Sequence, residues 1–187
     1  NITCGEGGAV VVGSPAEADR LRAMRRLGLR PRPAGGAPGL AEAEVDGPGW
    51  RYHLPNFHAA IGRVQLRRFR ECLRARRQVL AARYREELSK VPGATLLANG
   101  LDDVPHLQAL LLPTTALRDA ARKRLAVVGY ETALQYPPGH YFSRFAEGGP
   151  FPGAEEFYRR VLCLPLHSGV DEADARRIAA ELAALLG

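Results

Sequence analysis

The feature that most constrains this chain is an apolar stripe that keeps helical spacing from Phe57 to Leu88. Phe57, Ile61, Val64 and Phe69 begin it, and Leu73, Leu80, Tyr84 and Leu88 continue it. Steps of three and four select one face of an α-helix. The length predicts one bent helix or two in succession, ended by Val91-Pro92-Gly93. Arg63, Arg67, Arg68, Arg70, Arg74, Arg76 and Arg77 point in several directions around it. That is the pattern of a solvated helix more than of a nucleic-acid groove. No aromatic residues alternate with them as stacking platforms.

The stripe is introduced by residues 47–56. Gly47-Pro48-Gly49 makes a turn, Trp50-Arg51-Tyr52-His53 is an aromatic and basic cluster, and Leu54-Pro55-Asn56 opens the helix. Pro fits a first helical turn and Asn can cap free amides. The cluster is therefore expected at the positive end of a helix, where anions bind. Arg51 offers a two-pronged phosphate fork and His53 a second donor. The simpler alternative is that Trp50 and Tyr52 fill a core while both basic residues are solvated. Pattern alone leaves both open.

Residues 9–12 are a β-branched run that predicts a buried strand. Ser14-Pro15-Ala16-Glu17 is a capping box with Pro at the first helical position, and Leu21, Met24 and Leu27 mark the buried face of the helix that Gly28 ends. Arg20, Arg22, Arg25 and Arg26 read as its solvated face. Residues 29–49, rich in Pro and Gly, predict an ordered loop or flap. A smaller αβ domain follows. Residues 107–112 predict a strand, and Thr115 a cap for a helix through Leu117, Leu125 and Val128 that stops at Gly129. Residues 130–136 predict a strand into the Pro137-Pro138-Gly139 turn, and residues 155–161 a short helix. Leu164-Pro165-Leu166 reads as extended, and Asp171 caps a last helix with Ile178, Leu182 and Leu185 inward. Alternating strands and helices imply α/β sandwich packing.

The 187 residues carry 26 Lys and Arg against 20 Asp and Glu, nearly all the cations being Arg. Such a balance suits nucleic acid or anionic small molecules such as phosphates and nucleotide-sugars. Cys4, Cys72 and Cys163 lie far apart, as expected of reduced thiols in a cytoplasmic protein and not of disulfides or zinc. No cluster has metal-ligand spacing. No apolar run reaches transmembrane length, and no signal peptide or initiator Met opens the chain. The first residue already lies inside a motif, so the chain reads as the C-terminal piece of something longer.

Four stretches together resemble the DegT/StrS family of PLP-dependent sugar aminotransferases. Asn1-Ile2-Thr3-Cys4-Gly5-Glu6-Gly7-Gly8-Ala9-Val10-Val11-Val12 is similar to the family's NITTGEGG-A-V-V-V, with Cys4 for the common Thr. Gly49, Tyr52, Asn56, Ala59, Ala60, Ile61, Gly62, Gln65 and Leu66 match G-Y-N-Y-R-M…N-x-x-A-A-I-G-x-x-Q-L. Tyr136-Pro137-Pro138 with His140, and Leu162-Cys163-Leu164-Pro165-Leu166, follow in the same order.

The resemblance implies an α/β chain made of two parts of a fold-type I PLP-transferase. Residues 1–69 would end the large cofactor domain, and residues 70–187 would form the small C-terminal domain with a long connecting helix. The implied cofactor is pyridoxal 5'-phosphate, and the reaction moves an amino group from an amino acid, expected to be glutamate, to a keto-sugar. The Schiff-base Lys would lie immediately before Asn1, and Lys90 and Lys123 do not replace it. The implied assembly is a homodimer with shared active sites. Arg51 stands at the position that reaches the partner's PLP phosphate, with His53 and Asn56 beside it in the motif. Glu6, Gln135, Tyr136 and His140 fall to the substrate, although Gln135 replaces the family's first His. His58, His106 and His167 have no evident partners and read as structural.

The alternatives are a dehydratase with His in place of the Lys, a cyclitol or aromatic-precursor aminotransferase, a basic helical nucleic-acid-binding module, and a regulator that has lost the cofactor.

Overall fold

The computed structural model describes residues 1–31, 43–97, 100, 103–146 and 148–187. They form two compact units, Ile2–Arg67 and Arg68–Gly187, the latter joined by Asn1.

In the unit Ile2–Arg67, helix α1 spans Pro15–Met24. The Ser14 hydroxyl accepts from the Glu17 amide and the Glu17 carboxylate accepts from the Ser14 amide, which completes the predicted capping box. The helix stops at Met24, so the predicted inward Leu27 lies beyond it. Leu27 and Gly28 take positive φ values of 64° and 78°, and the Gly28 amide closes on the Ala23 carbonyl at 2.9 Å. Strands β1 (Leu29–Pro31) and β2 (Ala43–Val45) then pair antiparallel, with Leu29 opposite Val45. The predicted loop over residues 29–49 therefore has a strand near each end. Its middle, residues 32–42, lies outside the described residues.

The buried strand expected at residues 9–12 is absent. Val10 is 75% and Val11 96% exposed. A β-branched run supplies propensity, but its amides and carbonyls need a neighbouring strand, and among the described residues none runs alongside.

Helix α2 covers Asn56–Arg68. The Ala59 amide donates to the Pro55 carbonyl at 3.0 Å, which makes Asn56 the first helical residue and not a cap. The stripe on α2 is uncovered: Phe57, Ile61 and Val64 are all exposed and no residue of the helix is buried. The helix widens to a π-turn over Phe69–Leu73 and resumes as α3, Arg74–Leu88. On α3 the same spacing buries Leu80, Tyr84 and Leu88. Periodicity identifies an apolar face without saying what covers it.

The unit Arg68–Gly187 is built on an antiparallel sheet of β3 (Thr95–Leu96), β4 (Gln108–Leu111) and β5 (Val161–Leu164), in that order. Ala109 faces Cys163, and Leu110 pairs with Leu96 on one side and Leu162 on the other. Every residue of β5 is buried, which explains its uninterrupted apolar sequence. The strand predicted at residues 130–136 is reduced to one bridge, in which Ala133 and Cys163 exchange hydrogen bonds of 2.9 and 3.0 Å. Pro137 and Pro138 have no amide to extend the ladder. Helix α4, Thr115–Val127, is capped by Thr114, one residue earlier than expected, and Gly129 at φ 91° reverses the chain after it. Helix α5 is Pro152–Arg160, and α6, Glu172–Leu186, starts at the predicted Asp171 cap.

Leu80, Tyr84 and Leu88 of α3, Leu125 of α4, and Ile178 and Leu182 of α6 pack with Leu110, Leu112, Leu162 and Leu164 in one core. The buried Tyr84 hydroxyl donates to the Pro165 carbonyl at 2.9 Å, and burial pushes its pKa up. Arg77 departs from the solvated series: half-buried, it donates to the Pro105 and Leu166 carbonyls, and burial lowers its pKa. Among the described residues no helix is long and apolar enough to cross a membrane.

Candidate functional site

The unit Ile2–Arg67 has an open cavity of about 910 Å³ between residues 6–10, one side of α1, and residues 50–55. The last segment is held by the end of α1. The Trp50 amide donates to the Met24 carbonyl (2.7 Å), the Tyr52 amide to the Arg25 carbonyl (3.0 Å), and the Leu27 amide to the Trp50 carbonyl (3.1 Å). Carbonyls in the last turn of a helix lack partners inside it, and residues 50–52 answer two such needs. The approach is close enough that two positions tolerate no side chain. A Cβ on Gly49 would lie 1.9 Å from the Gly28 nitrogen, and one on Gly28 would lie 2.2 Å from the Gly47 oxygen. The basic cluster was expected at the amide end of α2. It precedes that end in the chain, but its backbone is docked on the carbonyl end of α1.

Trp50 and Tyr52 stack at 6.1 Å with ring planes 11° apart, as residues two apart in an extended segment can. The neighbouring positive charge comes from Arg22, Arg25 and Arg51. Arg22 pairs with Asp19 at 2.7 Å. Arg25 and Arg51 have no carboxylate partner among the described residues. Among the described residues Glu6 is the acidic one in the lining. Unpaired guanidinium groups beside a glycine turn suit a phosphate or another compact anion.

Of the residues singled out from the sequence, Glu6, Arg51 and His53 line this cavity. Asn56 does not. His58, read from sequence as a structural residue without partners, lines it too. Its Nδ1 lies 2.6 Å from the Cys4 carbonyl and 3.2 Å from the Glu6 amide. Nothing in the sequence separates His58 from any other helical histidine, because its partners are backbone groups more than fifty positions away.

The other unit has a cavity of about 540 Å³ whose lining includes Arg77, His106, Tyr130, Gln135, His167 and Asp174. The Gln135 side-chain oxygen is buried without a hydrogen-bond partner among the described residues. The Tyr130 hydroxyl donates to Asp174 at 2.7 Å. That bond raises the Tyr130 pKa, while Asp174 is held below the usual carboxylate range, first by the Asp171 amide and then by Tyr130. Tyr136 is 68% exposed. His140 sits outside this cavity, its Nε2 3.1 Å from Glu155, between the rings of Tyr141 and Phe151. Lys90 is paired with Glu87, Lys123 is exposed on α4, and neither lines either cavity.

Comparison with known proteins identifies a family and a fold. The model of the DegT/DnrJ/EryC1/StrS aminotransferase family matches residues 1–183. The aminotransferase TlmJ from Streptoalloteichus hindustanus is 32% identical, with a TM-score of 0.76 over 92% of this chain and 46% of that one. DesV of S. venezuelae, solved with a ketimine intermediate, is 29% identical, with a TM-score of 0.76 over 93% of this chain and 45% of that one. The sugar aminotransferase CalS13 from Micromonospora echinospora shares the fold at 24% identity, with a TM-score of 0.78 over 91% of this chain and 45% of that one. The chain thus spans just under half the length of these solved relatives.

Proposed function

Because this chain belongs to the DegT/DnrJ/EryC1/StrS aminotransferase family, we propose that it works as part of a pyridoxal-phosphate-dependent aminotransferase. The reaction would carry an amino group from an amino acid, glutamate first among the candidates, to a keto-sugar. The product class would be amino sugars for polysaccharide or antibiotic biosynthesis, with a nucleotide-linked acceptor. The observation that carries this most directly is the cavity in which Arg25 and Arg51 stand, without a carboxylate partner among the described residues, beside the glycine turn.

When bound, pyridoxal phosphate supplies the electron sink that lets an amino group leave one carbon skeleton and join another. The donor set here fits the phosphate end of that group. Arg51 would give it a charged fork and His53 a further donor, reaching the cofactor of the partner in a homodimer. Asn56, at the start of α2, would support the segment that carries them. Glu6 would face the substrate from the glycine turn, and Gln135, Tyr136 and His140 would serve it from the small domain. Residues 1–69 would complete a large cofactor domain and residues 70–187 would form a small closing domain. The lysine that anchors the cofactor is not Lys90 or Lys123, and would directly precede the segment beginning Asn1. A cytoplasmic location is part of this proposal.

The test uses the full-length protein. Its visible absorbance is recorded, borohydride is added, and the reduced adduct is located by peptide mass. An adduct on a lysine immediately before the Asn1 segment is expected. Cofactor bound but not trapped, with His at that position, would replace the aminotransferase by a dehydratase. Absence of any cofactor band would overturn both. Arg51→Ala should weaken cofactor binding in the intact dimer roughly 10- to 100-fold, the range of a charged hydrogen bond. Unchanged affinity removes Arg51 from the phosphate.

A further inference from the structure

We infer that His58 is a positioning residue that clamps the turn at residues 4–6 onto the start of α2, and so sets where Glu6 and the glycines after it stand. The link to catalysis rests on the function proposed above, while the clamp rests on geometry alone.

His58 is the third residue of α2, so its ring is carried on a regular element. Two backbone groups of one turn converge on a single ring nitrogen: the Cys4 carbonyl at 2.6 Å and the Glu6 amide at 3.2 Å. These contacts make opposite demands. The carbonyl needs a proton on Nδ1, whereas the amide needs a lone pair there. The shorter contact decides between them. A nitrogen lone pair 2.6 Å from a carbonyl oxygen is repulsive, but a donated hydrogen makes that distance a strong bond. The geometry therefore assigns the proton to Nδ1, donating to Cys4.

The turn is shaped to admit the ring. A Cβ on Gly5 would lie 3.1 Å from both Cε1 and Nδ1 of His58, and Gly5 has φ 88°. Thr3 and Cys4 brace the turn from within: the Gly5 amide donates to the Thr3 hydroxyl at 3.2 Å, and the Cys4 thiol donates to the Glu6 carbonyl at 3.3 Å. His58, through the Cys4 carbonyl, is the side chain from outside residues 1–12 that hydrogen-bonds this turn among the described residues. Glu6, Gly7 and Gly8, which it steadies, line the basic cavity. Displacing the turn would move Glu6, the one acidic group of that lining among the described residues, and the amides beside it.

The test compares full-length His58→Leu, His58→Asn and His58→Gln. The Asn amide nitrogen falls near the position of Nδ1, whereas the Gln amide reaches one carbon too far. Amide hydrogen exchange is read on the peptide covering residues 4–8, with melting temperature and the pH profile of the cofactor's visible band recorded alongside. Leu and Gln should loosen the turn and speed exchange of the Gly5 amide, which donates to the Thr3 hydroxyl inside it, about tenfold, as loss of the one net hydrogen bond to the Cys4 carbonyl implies, and shift the pH profile. Asn should restore both. Unchanged exchange in Leu and Gln, an unshifted pH profile despite faster exchange, or failure of Asn to rescue each overturns the assignment. If His58→Leu does not fold, the contrast between Asn and Gln carries the same decision. A protein without any cofactor band refutes the proposed function and the catalytic link, and the exchange contrast still decides the clamp.

Discussion

Gly49→Ala should undo the docking of residues 50–52 on the end of α1. Its Cβ would lie 1.9 Å from the Gly28 nitrogen, 2.3 Å from the Leu27 carbonyl carbon and 2.8 Å from the Gly28 Cα. All three obstacles are backbone atoms, so no side chain can rotate away. The segments must separate, and three hydrogen bonds go with them: Trp50 to Met24, Tyr52 to Arg25, and Leu27 to Trp50. At roughly 1 kcal/mol net for each, the loss is about 3 kcal/mol. That corresponds to about a hundredfold faster exchange of the amides of Leu27, Trp50 and Tyr52, read by mass spectrometry on the full-length protein. Gly153→Ala is the control, because nothing among the described residues lies within 4 Å of its added Cβ at the second position of α5. If Gly49→Ala leaves those amides as protected as before, close glycine contact is not what aligns the basic segment.

Leu27, at φ 64°, should tolerate Asn but not Val: a β-branched side chain there should cost about 1 kcal/mol more in a denaturant titration, and equal stabilities would refute the strain. Tyr84→Phe leaves the half-buried Pro165 carbonyl without its donor and should cost ~1–3 kcal/mol, whereas a neutral result would mean that water takes the place of the hydroxyl. Asp174 is held below the usual carboxylate range in the folded state, so its contribution is complete above an ordinary Asp pKa of about 4 and fades as pH falls through the lower folded value. Asp174→Asn should therefore flatten the acid limb of a stability-pH curve below about pH 4 and change its slope little above pH 6. An acid limb identical to wild type would contradict this.

What could be read from the chain was local. The Ser14–Glu17 box, the Asp171 cap and the Gly129 stop each depend on residues a few positions apart, and each is present. What could not be read depends on distant partners. Among the described residues, residues 9–12 have the composition of a buried strand without a neighbour to pair with, and residues 130–136 meet β5 at Ala133 alone. The helical stripe is continuous in sequence, yet Phe57, Ile61 and Val64 are exposed while Leu80, Tyr84 and Leu88 are buried. At the site, Glu6, Arg51 and His53 were legible through motif resemblance and do line one cavity. His58 was not, because the groups it engages are main-chain atoms, which every residue possesses.

The burial of β5 gives the protein an internal clock. Cys163 is 3% exposed, and burial raises its thiol pKa, so the nucleophilic thiolate is suppressed while the sheet is closed. Cys4 and Cys72 are only half-buried. A thiol-alkylating reagent should therefore label those two faster than Cys163, which lies in the wall of the smaller cavity yet is almost wholly covered. The labelling rate of that one peptide would then count the moments at which its sulfur is uncovered in the native protein, without an engineered probe.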